Sequence, residues 1–275
     1  MSTSATHSRP ARAPKGIRAI DIGVKVLQSI ADHDGPLALR ELAVRTGLSA
    51  SLLHRYLASF CAAGMTEQDP DTARYRLGPL SLTLGLHRMS GLDPVRVATP
   101  LLRPLADETG QPVTLAIWGS HGPTVIRWEE SSQMISVNLR VGSVLPLLST
   151  ATGLVFAAFR AEAANRSWIE RELTQGRRSG RGPSTRAESQ ALIARVRAAG
   201  VATVDGALIP GVCAAAAPVF DHNRQLALAV ASLGYRGVFD LSPDGKVCRA
   251  LRACAFEASR QLGYLPGTPG DAACG

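Results

Sequence analysis

The sequence has 275 residues, 45% of which are apolar, and a formal net charge of +8. This length is enough for two modest domains with separate cores. No apolar run approaches the roughly 20 residues that a membrane-spanning helix needs, so the sequence predicts no membrane association. The excess of positive charge favours a polyanionic partner, but charge alone does not identify that partner.

The first segment, residues 1–16, is expected to be a disordered basic arm. The stretch MSTSATHSRPARAPKGIR carries four basic residues and no acidic residue, and it lacks the apolar centre of a secretory signal. The five cysteines are scattered along the chain and form no C-x-x-C pair. We therefore expect reduced thiols in a cytoplasmic protein, with no structural metal and no cofactor.

The first predicted helix lies in IDIGVKVLQSIADHD. Its apolar residues Ile20, Val24, Leu27 and Ile30–Ala31 share one stripe at helical spacing, which predicts that this stripe faces a core. Gly35-Pro36 ends the pattern, and a short helix follows in LALRELAVRT.

The next elements complete a winged helix-turn-helix domain over residues 17–78. The short helix stops at Gly47, a residue type that tolerates the left-handed corner after a helix. Ser49 is the predicted N-cap of a third helix that runs to about Ala63. The segments MTEQ and RYRL flank the turn DPDTA, which predicts a two-stranded ribbon as the wing.

A linker helix is predicted over residues 79–92, opening at Gly78-Pro79. Its leucines do not keep one stripe, so we expect it to meet several partners, including a second subunit. Another helix begins at Asp93-Pro94. Pro100 and Pro104 are expected to kink or segment it.

Residues 93–266 are predicted to form a mixed α/β sensor domain with an antiparallel sheet, which makes the whole chain α+β. The last helix carries a stripe of core-facing residues, and the tail 267–275 is expected to be disordered. That stripe consists of Leu251, Cys254, Ala255, Ala258 and Leu262. The predicted strands are VTLAIW, TVIRWEE, ISVNLRV, VATV, VCAAAAPVF and LALAVASLG, and the predicted helices are ATGLVFAAFRAEA, RSWIERELT and ESQALIARVRAAG, with a basic loop in QGRRSGRGPSTR.

The third helix has two sides of different character. At 100° per residue, Leu53 and Leu57 fall on one side, and Ser51, His54 and Arg55 fall on the opposite side. Small neighbours allow the His-Arg pair to approach a groove closely, and an arginine can contact guanine edges or phosphates in the major groove of DNA. The alternative is an ordinary solvated helix face.

Features on either side of this helix favour the DNA-binding interpretation. The short helix and its Thr46-Gly47 corner precede it, and Arg74 and Arg76 follow on a strand. Two residues apart, these arginines would share one strand face, as phosphate contacts require. The alternative for them is again a solvated face. The full set of predicted DNA-binding residues is Arg40, Ser49, Ser51, His54, Arg55, Arg74 and Arg76.

The stretch GPLALRELAVRTGLSASLLHRYLASFCAAGM followed by RYRLGP resembles the DNA-binding domain of the isocitrate lyase regulator (IclR) family of bacterial transcription factors. Later stretches, VGSVLPLLSTATGLVFAAF, PGVCAAAAPVFD and SRQLGYLP, resemble its effector domain, so the similarity covers roughly Ile17 to Pro266. The resemblance implies a winged helix-turn-helix, a linker helix used in dimerisation and a GAF-like α/β effector-binding domain. It implies a repressor, or a regulator of dual action, that controls a catabolic or metabolic operon. Its expected partners are double-stranded, palindromic operator DNA, a second or further copies in a homodimer or homotetramer, and an organic or aromatic acid.

The resemblance also implies where the effector binds. The family's ligand lies against the loop that opens the ATGLVFAAF helix and against the later strands, and the N–H groups at a helix N-terminus suit a carboxylate. The residues of this chain at the matching positions are Thr150, Ala151, Thr152, Gly153, Asp205, Cys213, Ala214, Ala231 and Leu233.

This chain departs from the family pattern in both halves. Ser49-Ala50 replaces a frequent proline-lysine pair, so base preference is expected to differ. Ala214 stands where many members have cysteine, and a one-residue slip along the strand would turn Cys213 away from the pocket. Ala231 and Leu233 replace pocket serines of some relatives, which predicts a less polar pocket and an apolar or aromatic acid. The alternative is that Thr150, Thr152 and Asp205 merely cap and turn the chain.

Two other functions remain open on the sequence. An α/β enzyme acting on a small acid or ester is disfavoured, because the chain has no G-x-S-x-G, P-loop, H-E-x-x-H or G-x-G-x-x-G motif. A winged-helix scaffold for protein contacts would bind no DNA. We therefore predict no catalytic residue.

Overall fold

The computed structural model describes residues 16–131, 137, 139–179 and 182–265. The predicted tail and all but the last residue of the predicted arm lie outside these ranges, as does part of the predicted strand ISVNLRV, whose described residues are not in a strand. The chain divides into two compact units between Gly91 and Leu92. Among the described residues, no helix is both long and apolar enough to cross a membrane.

The first unit is a winged helix-turn-helix, and its linker helix belongs to this unit. Its core is built from the inward faces of three helices and the ribbon, including Val26, Leu42, Leu53 and Tyr75. The helices are α1 (Arg18–Ala31), α2 (Leu39–Thr46), α3 (Ala50–Ala62) and α4 (Pro79–Ser90), and the antiparallel strands are β1 (Thr66–Gln68) and β2 (Tyr75–Leu77).

The predicted buried stripe of α1 is partly wrong. Ile20 and Val24 are 60% and 45% exposed, whereas Val26 and Ile30 are buried. The buried face runs through Gly23, because the ring of Phe60 lies 2.9 Å from the place where a Cβ of Gly23 would stand. A residue with no side chain hides this contact face from a search for apolar periodicity.

The second unit is an α/β domain built on a five-stranded sheet. Every neighbouring pair of strands is antiparallel, and the strand order is β4-β3-β7-β6-β5. The helices are α5 (Pro94–Thr109), α6 (Ala151–Phe159), α7 (Glu162–Ser179), α8 (Arg186–Ala199) and α9 (Lys246–Gln261). The strands are β3 (Val113–Gly119), β4 (Gly122–Glu129), β5 (Ala202–Asp205), β6 (Val212–Phe220) and β7 (Leu226–Tyr235).

Helices cover both faces of this sheet. The core on one face joins α5 and α9 to alternate strand residues such as Leu115, Ala215 and Val230. The core on the other face joins α6, with α7 and α8 outside it, to the intervening small residues Ala216 and Ala231. Side chains alternate between the faces along each strand, so sequence parity decides which core a residue enters.

The predicted segmentation of α5 is wrong, whereas a kink at its prolines stays a prediction. The helix continues through Pro100 and Pro104, whose rings are exposed, while Leu102 and Leu105 on the opposite side are buried. A proline lacks an N–H and clashes with the preceding turn. On the solvent side these costs fall on groups that water can reach, and packing of the buried face holds the helix together.

Helix α7 is longer than predicted at both ends. It begins at Glu162, because the predicted helix ATGLVFAAFRAEA ends at Phe159, and it runs to Ser179 through the first part of the expected loop QGRRSGRGPSTR. Glutamine and arginine are good helix formers and keep the helix going without an apolar stripe. The predicted stripe of α9 faces the core: Leu251, Ala255, Ala258 and Leu262 are buried, and Cys254 is partly buried against the same core.

Candidate DNA-binding surface and effector site

The third helix presents its polar side to solvent, as the sequence predicts. Leu53 and Leu57 are fully buried, whereas Ser51, His54 and Arg55 are exposed. The buried leucines therefore fix the rotation of α3 about its axis, and this rotation points the His-Arg pair outward.

The corner before α3 has the predicted geometry. Gly47 has a φ of 69°, and its N–H donates to the carbonyl of Ala43, which ends α2. The hydroxyl of Ser49 accepts a hydrogen bond from the N–H of Leu52 at 3.4 Å. Arg40 lies exposed on α2. Arg40 therefore adds an exposed cationic side chain on the helix that precedes α3.

The two arginines of the wing are engaged by neighbouring groups. Arg74 lies just before β2 rather than within it, and its Nη1 donates to the carbonyl of Pro36 at 3.0 Å and to the carboxylate of Glu41 at 3.2 Å. Arg76 pairs with Glu67 across the ribbon. Both ion pairs are solvent-exposed, and such pairs are worth about 0–1 kcal/mol, so DNA phosphates can compete for these guanidinium groups.

The start of α6 is buried and capped. The hydroxyl of Thr150 accepts from the N–H of Gly153 at 2.9 Å and donates to the carbonyl of Pro146 at 2.7 Å. Ala151 and Thr152, the first two residues of the helix, are buried. The N–H groups of a first helical turn lack partners within the helix and carry partial positive charge.

Three further candidates lie on the sheet face that α6 covers. Ala214 pairs with Leu233 in neighbouring strands, and Ala231 lies two residues before Leu233 on the same face of β7. Ala214 and Ala231 pack in the core formed with α6. The structure thus brings these residues to the same side of the sheet as the α6 N-terminus, on a surface of small and apolar side chains.

The remaining two candidates lie on the other face of the sheet. Cys213 is buried in the core formed with α5 and α9, and its thiol donates to Asp205 at 3.2 Å. Asp205 also pairs with Arg236 at 2.8 Å. These partners lower the pKa of the Asp205 carboxyl, whereas burial, followed by the neighbouring carboxylate, raises the pKa of the Cys213 thiol. Asp205 and Cys213 therefore form a separate cluster.

Glu172 on α7 is a residue that sequence reasoning missed. Its carboxylate accepts hydrogen bonds from the N–H groups of Leu147 and Leu148, the latter at 2.8 Å, in the loop that leads into α6. Burial raises the pKa of Glu172, and the two backbone hydrogen bonds oppose that shift. No motif marks a carboxylate that reaches a loop 24 residues away, so no local signal could have found it.

Two family models match the chain. One, described as the bacterial transcriptional regulator IclR C-terminal domain, matches residues 86–260, and the other, described as the IclR helix-turn-helix domain, matches residues 19–70. The glycerol operon regulatory protein of Streptomyces griseus is 30% identical over 261 residues, which cover 90% of this chain and 98% of that protein. The regulator BhcR of Paracoccus denitrificans is 29% identical, with 90% and 87% covered.

A solved structure agrees with these matches. The crystal structure of Pseudomonas aeruginosa HmgR superimposes with a TM-score of 0.81 at 34% identity, covering 90% of this chain and 99% of that one. The repressor BlcR of Agrobacterium tumefaciens, at 23% identity and a TM-score of 0.75, shares the fold.

The matched models and relatives are those of transcriptional regulators and not of enzymes, and a winged helix-turn-helix with its third helix exposed, followed by an α/β domain, agrees with a DNA-binding transcriptional regulator. The chain belongs to the IclR family of these regulators.

Proposed function

We propose that α3 is inserted into the major groove of a palindromic operator and that Arg55 contacts base edges there. The observation that carries this proposal is the outward His-Arg pair, fixed by the buried leucines on the other side of α3. Ser51 and His54 adjoin Arg55 on the exposed side. Ser49 and Arg40 flank the helix, and each would contact the phosphate backbone.

We propose that Arg74 and Arg76 contact phosphates from the wing after exchanging their carboxylate partners for DNA. Each phosphate contact releases counterions, so the binding constant falls with salt, with a slope near −0.9 per contact in a log–log plot. Arg74→Ala and Arg76→Ala should each reduce the slope by about one. Arg127→Ala, at an exposed position of the second unit, is the control and should leave the slope unchanged.

Fluorescence anisotropy of a labelled fragment from upstream of the protein's own gene, at several salt concentrations, measures this slope. A salt-independent complex would contradict the phosphate contacts. A complete lack of binding to this and to other DNA would favour the scaffold alternative.

We infer that the chain works as a homodimer or homotetramer. Large apolar side chains stay exposed along α4 and on one side of α1. These side chains are Ile17, Ile20, Val24, Leu82, Leu84, Leu86 and Met89. A surface of this kind is typical of a subunit interface. A twofold-symmetric pair of α3 helices would read two half-sites, as a palindromic operator requires.

We propose that the effector is an apolar or aromatic organic acid bound between the N-terminus of α6 and the small-residue face of the sheet. The first turn of α6, at Ala151 and Thr152, would receive the carboxylate, and the surface at Ala214, Ala231 and Leu233 would take the apolar body. Asp205 and Cys213 would not line this pocket, since they lie on the other face of the sheet. Gly153 allows the close approach of the preceding loop.

Titration calorimetry with benzoate tests the effector proposal. Ala214→Phe would fill the pocket and should abolish binding, whereas Ala253→Phe, at an exposed position of α9, should not. Equal binding of benzoate by both variants and the unmodified protein would contradict this location. We further propose that the protein acts as a repressor, like two of its relatives, the acetate operon repressor of Salmonella typhimurium and the transcriptional repressor IclR of Escherichia coli.

A further inference from the structure

A cavity lies in the α/β unit, between the C-terminal part of α6 and helices α7 and α8. Its volume is about 280 Å³. None of the residues that we assign to the effector pocket lines it. The floor is apolar and consists of Ala157, Ile169, Leu173 and Ile193.

Arginines lie on both sides of the rim of this groove. Arg166 projects from α7, and Arg186 and Arg197 project from α8. The Nε of Arg197 donates to the carbonyl of Ala158 at 2.6 Å, which holds that guanidinium group at the end of α6. Within the described part of the chain, none of these three arginines forms an ion pair with a carboxylate.

The acidic residues of the rim lie on one side of the groove only. Glu162 and Glu170 lie one turn on either side of Arg166 on α7, so both carboxylates belong to one wall of the groove. The α8 wall carries Arg186 and Arg197 with no acidic residue among the lining side chains. An anion is therefore favoured along α8.

The groove is long rather than round. Arg186 and Arg197 are eleven positions apart on one helix, which corresponds to about 16 Å at a rise of 1.5 Å per residue. The apolar floor lies between these ends. An extended hydrocarbon chain with a carboxylate at its end matches this arrangement better than a compact polar metabolite does.

We propose that this groove, defined by Ile169, Ile193 and the three arginines, is a second ligand site that takes an elongated carboxylate with an apolar chain. The chain lies along the α7–α8 floor, and the carboxylate lies beside the guanidinium group of Arg186 on α8. The site is separate from the effector pocket at the start of α6, and it does not rest on the function proposed for that pocket.

Octanoate, titrated calorimetrically into the full-length protein, is the test. We expect saturable binding, at least tenfold weaker binding of the neutral analogue 1-octanol, and at least a tenfold loss of octanoate affinity in the double variant Arg166→Gln/Arg186→Gln. The matched control Arg127→Gln/Arg195→Gln removes the same charge from exposed positions outside the groove and should stay within twofold of the unmodified protein.

A second variant protects the test against misfolding. Gln190→Trp fills the groove from an exposed position on α8 and should also abolish octanoate binding, with an unchanged melting temperature as the fold control. Absence of saturable octanoate binding to the unmodified protein would overturn the proposal. Octanoate binding that survives both groove variants, or that is lost only in Ala214→Phe, would also overturn it, because the ligand would then occupy another site.

Discussion

Gly153 and Glu172 fix the loop before α6 from two sides. A Cβ at Gly153 would stand 2.1 Å from the carbonyl oxygen of Pro146, so the helix and the loop touch through the backbone. On its other side, the loop donates two N–H groups to Glu172. The geometry of the proposed effector pocket therefore depends on these two residues, although neither needs to contact the ligand.

We predict that Gly153→Ala destabilises the α/β unit by about 3 kcal/mol, because the added methyl group has no room beside backbone atoms. Gly85→Ala is the control: it lies inside α4 with nothing near the added atom, and alanine is favoured over glycine in a helix by about 1 kcal/mol. Urea denaturation followed by circular dichroism gives both free energies of unfolding. A neutral Gly153→Ala would show that the loop moves freely.

The raised pKa of Glu172 predicts how the stability of the protein depends on pH. Because its pKa in the folded protein is raised above 4.5, the folded state holds this proton more tightly than the unfolded state does. Its stabilising contribution is complete below pH 4.5 and is lost as the pH rises through the folded pKa. Glu172→Gln cannot ionise, so the stability of the unmodified protein relative to this variant should fall between pH 4 and pH 7. Urea midpoints at both pH values measure this difference, and a rise with pH would contradict the raised pKa.

Residue roles were predictable from the sequence where periodicity alone decides them. The helical period separates Leu53 from Arg55, and the strand period separates Cys213 from Ala214, as the structure shows. The partners of Arg74 were not predictable, because Glu41 is 33 residues distant along the chain and meets Arg74 only through the fold. Glu172 was missed for the same reason.

At the scale of elements, helix periodicity is ambiguous when a glycine lies on the buried face. The apolar residues of α1 suggested one stripe, yet Gly23 and Phe60 made a different face the inner one. Similarly, the prolines of α5 suggested a break that the buried opposite face prevents. Contacts with other elements decide both cases, and a single segment of sequence does not contain them.

The exposed apolar surface of α4 carries a prediction about assembly. Leu82 and Leu86 are one helical turn apart and more than half exposed, so burial against a second subunit would contribute about 1.5–3 kcal/mol for each. The variant Leu82→Glu/Leu86→Glu should shift the protein toward monomer in sedimentation velocity experiments. Val238→Glu, an exposed apolar residue of the other unit, should not. An unchanged oligomer in the double variant would place the interface elsewhere.

At the scale of the whole molecule, the sequence predicted both domain types and the family. The order of helices, turn and ribbon defines the first unit, and alternating strands with bracketing helices define the second. Long-range details such as the α7–α8 groove were not predictable from the sequence, because they arise where side chains of separate helices meet. Because we assign DNA binding to the first unit and effector binding to the second, recognition of the operator by α3 is the central claim.

The most direct measurement of that claim uses an operator selected by the unmodified protein from random-sequence DNA. Anisotropy then compares Arg55→Ala with the exposed control Arg195→Ala on this operator and on scrambled DNA. A bidentate base contact is worth about 1–3 kcal/mol. We predict that Arg55→Ala loses roughly tenfold or more in operator affinity, while Arg195→Ala keeps full affinity and both variants bind scrambled DNA with similar strength. If Arg55→Ala discriminates the operator from scrambled DNA as well as the unmodified protein does, α3 does not read the operator through Arg55.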